Sequence, residues 1–297
     1  MFKNLYLSLR RFLICCITIC RRWIYPLKIH NTEETLRELV YTEKSISRLG
    51  DGEIDLIEGK NLKFQDNSAD LSEKMRRVLK AEDIPENLMV AIPAVWCSYR
   101  GFTRKSVNWW AEYMYENHQR IYRLINPKYH YYDAQVTRIY INRSSKKKSA
   151  EYFELWKKVW ENRDVLIVEG EATRMGVGSD LLSTAKSVRR ILCPAKGAYS
   201  YYDEIVEAVK NQCKEKNYLV LALLGPTATV LAYDITKAGI RIIDTGNLDI
   251  EYEWLKMNAT HQSKVAGKYT HEAAGGNTVG AVQDEKYLSE IIMRIGC

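Results

Sequence analysis

Two carboxylates two positions apart, Asp51 and Glu53, stand in Arg48-Leu49-Gly50-Asp51-Gly52-Glu53. The flanking glycines permit a turn that aims both side chains at one point, and hard oxygen donors of this kind suit Mg²⁺ or Mn²⁺. The same residues would also serve a plain helix start, with Asp51 as cap and Glu53 in the favourable first turn. The spacing recurs as Asp249 and Glu251, in a segment from Asp244 to Trp254 that also holds Glu253. Four acids so close would repel one another in a dry site without a cation. A metal, a polar substrate and an acidic helix N-terminus in water all fit this segment.

Other segments are suited to phosphate. Gly225-Pro226-Thr227-Ala228-Thr229 follows the most apolar strand candidate. Proline wastes no amide in a first helical turn, and the threonines bring hydroxyls and backbone donors to the positive helix end. No Gly-Lys-[Ser/Thr] ending follows, so this is not a P-loop. From Val168 to Asp180 the chain reads Val-Glu-Gly-Glu-Ala-Thr-Arg-Met-Gly-Val-Gly-Ser-Asp. There Arg174 and the amides near Gly176 and Gly178 could meet an anion, but the third glycine of a dinucleotide fingerprint is missing, which disfavours a nicotinamide cofactor. The alternative is a tight turn closed by an arginine–glutamate pair. Tyr199, after Cys193-Pro194, offers a ring to a base or ribose or is an ordinary packed tyrosine. Trp96, Tyr99, Trp109 and Trp110 form the nearest sugar-stacking cluster or are core.

These turns need elements to hold them. Near-continuous apolar strand candidates at 164–168, 188–192, 218–224 and 240–244 alternate with helical stretches at 179–187, 200–214 and 227–238. This predicts a doubly wound, mostly parallel, Rossmann-like α/β sheet, in which ligands bind beyond the carboxyl ends of strands. Upstream, Asn31 and Glu34 form a capping-box pattern for a helix to about Lys44. Strands follow at 45–49 and 88–95, and helices at 53–59, 71–79 and 105–125. Asn142–Ser149 reads as an exposed loop. No composition break divides residues 31–297, which are expected to be one domain after a basic segment, 1–30.

The net charge of +7 is local: Lys3, Arg10, Arg11, Arg21, Arg22 and Lys28 precede the first acid, Glu33. Without those six, the 44 basic residues fall to 38 against 37 acids, which argues against a nucleic-acid groove. Within the basic segment Phe12–Cys20 is apolar, too short to cross a bilayer and without a cleavage site. It predicts an amphipathic segment lying on the inner face of the cell membrane, or a helix packed on its own domain. Seven cysteines with no Cys-x-x-Cys pair, and five scattered histidines, disfavour zinc and a disulfide framework and fit a cytoplasmic chain.

Taken in order, Arg-Leu-Gly-Asp-Gly-Glu, Val-Glu-Gly-Glu-x-x-Arg-Met-Gly-Val-Gly-Ser-Asp-Leu, Leu-Gly-Pro-Thr-Ala-Thr-Val-Leu-Ala-Tyr-Asp and Asp-Thr-Gly-Asn-Leu-Asp-Ile-Glu-Tyr-Glu-Trp resemble the bacterial glycosyltransferases of the GT-D fold, long catalogued as a domain of unknown function. The resemblance runs from about Ser45 to about Lys268. It implies a UDP-sugar donor, UDP-glucose in the family's known activity, a divalent cation held through an Asp-x-Glu pair, and transfer onto glycans of surface glycoproteins. Mapped onto this chain, the cation falls to Asp51 and Glu53. The donor falls to Arg48, Gly50, Glu169, Arg174, Gly176, Gly178, Asp180, Gly225, Pro226, Thr227, Ala228, Thr229 and Asp244. A carboxylate among Asp249, Glu251 and Glu253 would deprotonate the acceptor. Leu49, Ser179 and Asn247 depart from the family's aromatic, asparagine and histidine; the last puts in doubt how acceptor or phosphate is oriented. A metal-dependent phosphohydrolase and a non-catalytic sugar-nucleotide-binding protein are the rival readings.

Overall fold

The computed structural model describes residues 2–297, with side chains from Tyr6 onward. The strands are β1 (Lys28–Ile29), β2 (Ser45–Arg48), β3 (Leu88–Ile92), β4 (His130–Asp133), β5 (Asp164–Gly170), β6 (Ser187–Cys193), β7 (Leu219–Leu223), β8 (Ile242–Asp244) and β9 (Ile291–Arg294). The helices are α1 (Phe2–Ile24), α2 (Thr32–Tyr41), α3 (Asp51–Ile57), α4 (Ala69–Lys80), α5 (Arg104–Leu124), α6 (Lys146–Val159), α7 (Tyr202–Glu215), α8 (Pro226–Lys237), α9 (Leu248–Lys256) and α10 (Glu285–Glu290). Among the described residues these strands form one sheet, ordered β1-β4-β3-β2-β8-β7-β5-β6-β9, with every pairing parallel.

Apolar strands covered on both faces explain this arrangement. In β3, Leu88, Val90 and Ile92 join the layer containing α3, α4, α5, α7 and α8, while Met89 and Ala91 face the layer of α2, α6 and α9. β2 and β8 meet mid-sheet through Ile46 and Ile243, where the half running out through β3 abuts the half built on β5–β7. Such a junction opens a crevice at the carboxyl ends of its strands. The chain is therefore a doubly wound Rossmann-like α/β fold.

Several local expectations hold. Asn31 accepts from the Glu34 amide while the Glu34 carboxylate accepts from the Asn31 amide, giving α2 a complete capping box. Two expectations fail. The 179–187 stretch is no helix: the chain runs through successive tight turns, with Val177 N–H donating to Arg174, Ser179 to Gly176, Ser183 to Asp180 and Ala185 to Leu182. Arg174, Gly176 and Gly178 take φ of 55°, 75° and 74°, which a right-handed helix does not admit, and β6 begins at Ser187. Nor is 142–149 wholly an exposed loop. Ser145 caps α6 from Lys146, and Arg143 and Ser149 are buried.

α1 lies against α5 with its basic side inward. Arg10 pairs with Glu112 at 2.8 Å, Arg21 donates to the Tyr115 carbonyl, and Arg22 donates to the Val95 carbonyl while covering the Tyr99 ring at 3.7 Å. Ile14 and Thr18 are buried in the same seam. Leu9, Phe12, Leu13, Trp23 and Ile24 are left exposed. Among the described residues no helix is long and apolar enough to cross a membrane.

Candidate active site

The turns after β2, β7 and β8 converge at the mid-sheet crevice. One cavity of about 140 Å³ lies over the ends of β5–β8, and a second of about 300 Å³ lies over β2, β3 and β8. Phe64, Gly225, Gly246, Asn247 and His271 line both, so the two form one cleft. Gly246 is required where it stands: at φ +46° a Cβ would fall 2.0 Å from a terminal nitrogen of Arg48.

Asp51 and Glu53 open α3 at the floor of the second cavity. Glu53 accepts from the Gly50 amide at 2.7 Å, and neither acid makes an ion pair among the described residues. Burial pushes the Glu53 carboxyl up to about 7, against the pull of the Gly50 amide and with help from the Asp51 and Asp244 charges. Burial also raises Asp51. Two desolvated carboxylates, one raised by the charge of the other, make a site that would gain by taking a cation. No group of three or more His, Cys, Asp or Glu side chains is placed to hold a metal among the described residues. Two carboxylates are nevertheless the protein share expected for Mg²⁺ or Mn²⁺ that also takes substrate phosphate oxygens.

The second Asp-x-Glu pair is closed. Lys268, buried in the loop after α9, donates to both Asp249 oxygens at 2.9 and 2.8 Å and to Glu253 at 2.8 Å. Asp249 also accepts from the Gly176 amide at 2.8 Å. Burial would lower Lys268, but these two carboxylates hold it above its ordinary value. Glu251 is fully buried and accepts from the Tyr140 and Ile141 amides at 2.7 and 2.9 Å. Asp249 lines the first cavity, while Glu253 faces a separate one.

Arg48 and Arg174 were expected to hold phosphate, and both are already committed. Arg48 donates to the Asp244 carbonyl at 2.8 Å, the Asp244 carboxylate at 2.7 Å, Thr137 at 2.8 Å and the Ala134 carbonyl at 3.2 Å. It ties β2 to β8 and to the 3₁₀ turn Ala134–Thr137. Arg174 donates to the Gly267 and Gly280 carbonyls, stapling the C-terminal loops rather than closing on a glutamate. Glu169 is buried against Arg190 at 2.6 Å and the Met175 amide at 2.8 Å. Gly176, Gly178 and Asp180 line a cavity apart from Asp51 and Glu53, with Asp180 held by Lys157 and Tyr252. Of the glycine-proline turn, Gly225 and Pro226 reach the cleft. Thr227, Ala228 and Thr229 are buried, and the Thr229 hydroxyl donates to the Arg48 carbonyl at 2.9 Å. Tyr199 bonds Asp70 and packs on Tyr202.

Arg138 and Glu272 went unread in the sequence. They form an ion pair; Asn247 donates to Glu272 at 2.8 Å and Gln262 to its other oxygen at 2.6 Å. Burial opposes the charge on Glu272, but Arg138 overcomes it and holds the carboxyl below the usual range. Arg138 and Glu272 together line a further cavity beside these two; Arg138 also lines the second cavity and Glu272 the first. Asn247, in the place of the family's histidine, thus positions this pair.

A parallel sheet carrying an open acidic turn beside glycine turns at its mid-sheet crevice is a ligand-binding α/β architecture. The family model for the glycosyltransferase GT-D fold matches residues 46–273, and the chain belongs to that family. It is 35% identical over 269 residues to Glycosyltransferase GlyD of Streptococcus pneumoniae serotype 4, an alignment covering 91% of this chain and 33% of that protein. The chain thus spans about a third of the length of that curated relative. A solved structure of the domain of unknown function 1792, described as having a distinct glycosyltransferase fold, superposes with a TM-score of 0.87 at 32% identity, covering 96% of this chain and all of that one. A glycosyltransferase of the same domain from Streptococcus sanguinis gives a TM-score of 0.85 at 33% identity, covering 91% of this chain and 99% of that chain.

Proposed function

We propose that the chain moves a hexose, glucose in the first instance, from a UDP-sugar to a hydroxyl of a glycan or glycoprotein, with a divalent cation at Asp51 and Glu53. The observation that carries this reading is the pair itself: two desolvated, unpaired acids facing the same cavity as Gly225, Pro226, Gly246 and Asn247. The nucleoside lies along the first cavity, between Phe64 and the turn at Pro194, and the diphosphate crosses to the second. A Mg²⁺ or Mn²⁺ ion, when bound, supplies positive charge against that building on the departing diphosphate. Arg138 is the cationic side chain that faces the second cavity with Asp51, and Glu272 is the carboxylate placed to take the acceptor's proton. Arg48 acts as a positioning residue, keeping Asp244 and the Gly246 turn in place. The test is UDP-glucose turnover with Mn²⁺, with and without an acceptor glycan, in wild type and in Arg138→Met. Sugar transfer that depends on Mn²⁺ and falls in the variant supports the reading. Phosphate release from simple esters without any sugar transfer favours the phosphohydrolase.

The apolar side of α1 is proposed to lie on an anionic lipid surface. Arg10 and Arg21 are turned toward α5 and Arg22 toward Val95 and Tyr99, leaving Phe12, Leu13, Trp23 and Ile24 outward with exposed Arg11, and the segment carries six cations before the first acid. Apolar burial and surface potential would act together there. Co-sedimentation with phosphatidylserine vesicles should be lost when residues 1–28 are deleted; equal sedimentation of both forms removes the proposal.

A further inference from the structure

A third cavity, of about 500 Å³, opens between the first turns of α5, the turn Ala134–Thr137 and residues 260–262. Resting on the transferase reading above, we infer that this cavity is the acceptor-glycan subsite and that Trp109 is its stacking platform.

The four aromatic residues of this region have separate fates. Trp96 and Trp110 are core, and Tyr99 is taken by Arg22 and Thr18. Trp109 is 50% exposed and lines the cavity. It is nevertheless held: Tyr113 stacks on it at 5.5 Å and 9°, and Trp110 meets it edge-on at 4.6 Å and 89°. An indole fixed in this way can cover the apolar face of a pyranose without losing rotamer freedom on binding.

The polar walls fit a polyhydroxyl ligand. Ser106 and Gln135 line this cavity, and just behind its wall their Oγ and Nε2 are buried with no hydrogen-bond partner among the described residues. Orphaned polar groups are uncommon in folded interiors, and sugar hydroxyls both donate and accept. Gln262 and Glu272 bring an amide and a carboxylate to the same space. An apolar peptide would leave the Ser106 hydroxyl and the Gln135 amide without partners, which favours a glycan as the occupant.

The cavity also reaches the reaction centre. Asp51, Gln135 and Arg138 line both it and the cavity assigned to the diphosphate. A ring resting on Trp109 therefore presents its hydroxyls toward the sugar end of the donor.

Binding of labelled protein to an array of bacterial surface oligosaccharides, with UDP and Mn²⁺ present, tests this in wild type, Trp109→Ala and Trp109→Phe. UDP-induced thermal shift is measured on the same samples. Wild type should bind a set of glycans, Trp109→Ala about tenfold or more weakly and Trp109→Phe nearly as well, with the UDP shift the same in all three. Equal binding by wild type and Trp109→Ala, or a wild type that shifts with UDP and binds no glycan, overturns the subsite. Trp109-dependent glycan binding without any UDP shift keeps the glycan site and removes the UDP-donor reading instead.

Discussion

Asp51 with Glu53 and Asp249 with Glu251 share spacing, helix position and chemistry, since each pair occupies the first turn of a short helix following a central strand. Their surroundings differ. The loop after α9 folds back and delivers Lys268 to Asp249 and Glu253, while backbone amides of residues 140, 141 and 176 take up the remaining oxygens but one. Among the described residues no cationic side chain bonds Asp51 or Glu53: Arg120 and Lys60 bond Asp55 one turn on in α3, and Arg138 is near enough to act on Asp51 through its charge but bonds Glu272. One acidic pair ties loops together and the other is left for a ligand. The sequence pattern sets what a pair can do, and the partners supplied from elsewhere in the chain decide what it does.

Breaking the closed pair should have the largest effect. Lys268→Met leaves two buried carboxylates without their cation, which is expected to cost about 3–5 kcal/mol and lower Tm by roughly 2–4 °C for each of these. Adding Asp249→Asn should recover part of the loss, as differential scanning calorimetry would show; a Lys268→Met protein as stable as wild type would mean the pair is not closed by this lysine. Breaking the open pair should instead spare the fold. Asp51→Asn and Glu53→Gln are each expected to slow Mn²⁺-dependent transfer by about 10²–10³-fold, the loss typical of removing one electrostatic contact to a transition state, while Tm stays the same or rises. Near wild-type rates in both variants would end the assignment of the cation to α3.

The contrast also explains what the sequence could and could not disclose. The strands were legible because a parallel sheet buried on both faces writes near-continuous apolar runs, as in Leu219–Leu223. The acidic turn was legible because glycine and acid spacing is local. Lys268, Arg138 and Glu272 were not, since each acts on residues brought near only by the fold; Glu272 is 134 positions from Arg138. The same limit hid the partners of Arg48 and Arg174. Arginine near glycine turns suits phosphate, but Asp244 lies 196 residues from Arg48 and accepts its guanidinium first. The supposed helix at 179–187 gives way to successive tight turns, Ser183 N–H donating to Asp180 and Ala185 N–H to Leu182, before β6 begins. Short edge strands such as β1 and β9 carry too few residues for a period to show.

The smallest effect is the pH dependence of the open pair. Glu53 titrates near 7 in the fold, against an ordinary carboxyl value of 4.5, because burial and the Asp51 and Asp244 charges disfavour its ionised form. The folded chain therefore holds this proton more tightly than the unfolded chain does. The stability it contributes is fully present below about pH 4.5 and is lost as pH rises through about 7. In chelator-treated protein this component amounts to roughly 1–3 kcal/mol. Glu53→Gln should flatten the decline in Tm between pH 5 and pH 8. If Glu53→Gln follows the wild-type curve across that range, Glu53 is as well compensated as the acids of α9, and the difference between the two turns disappears.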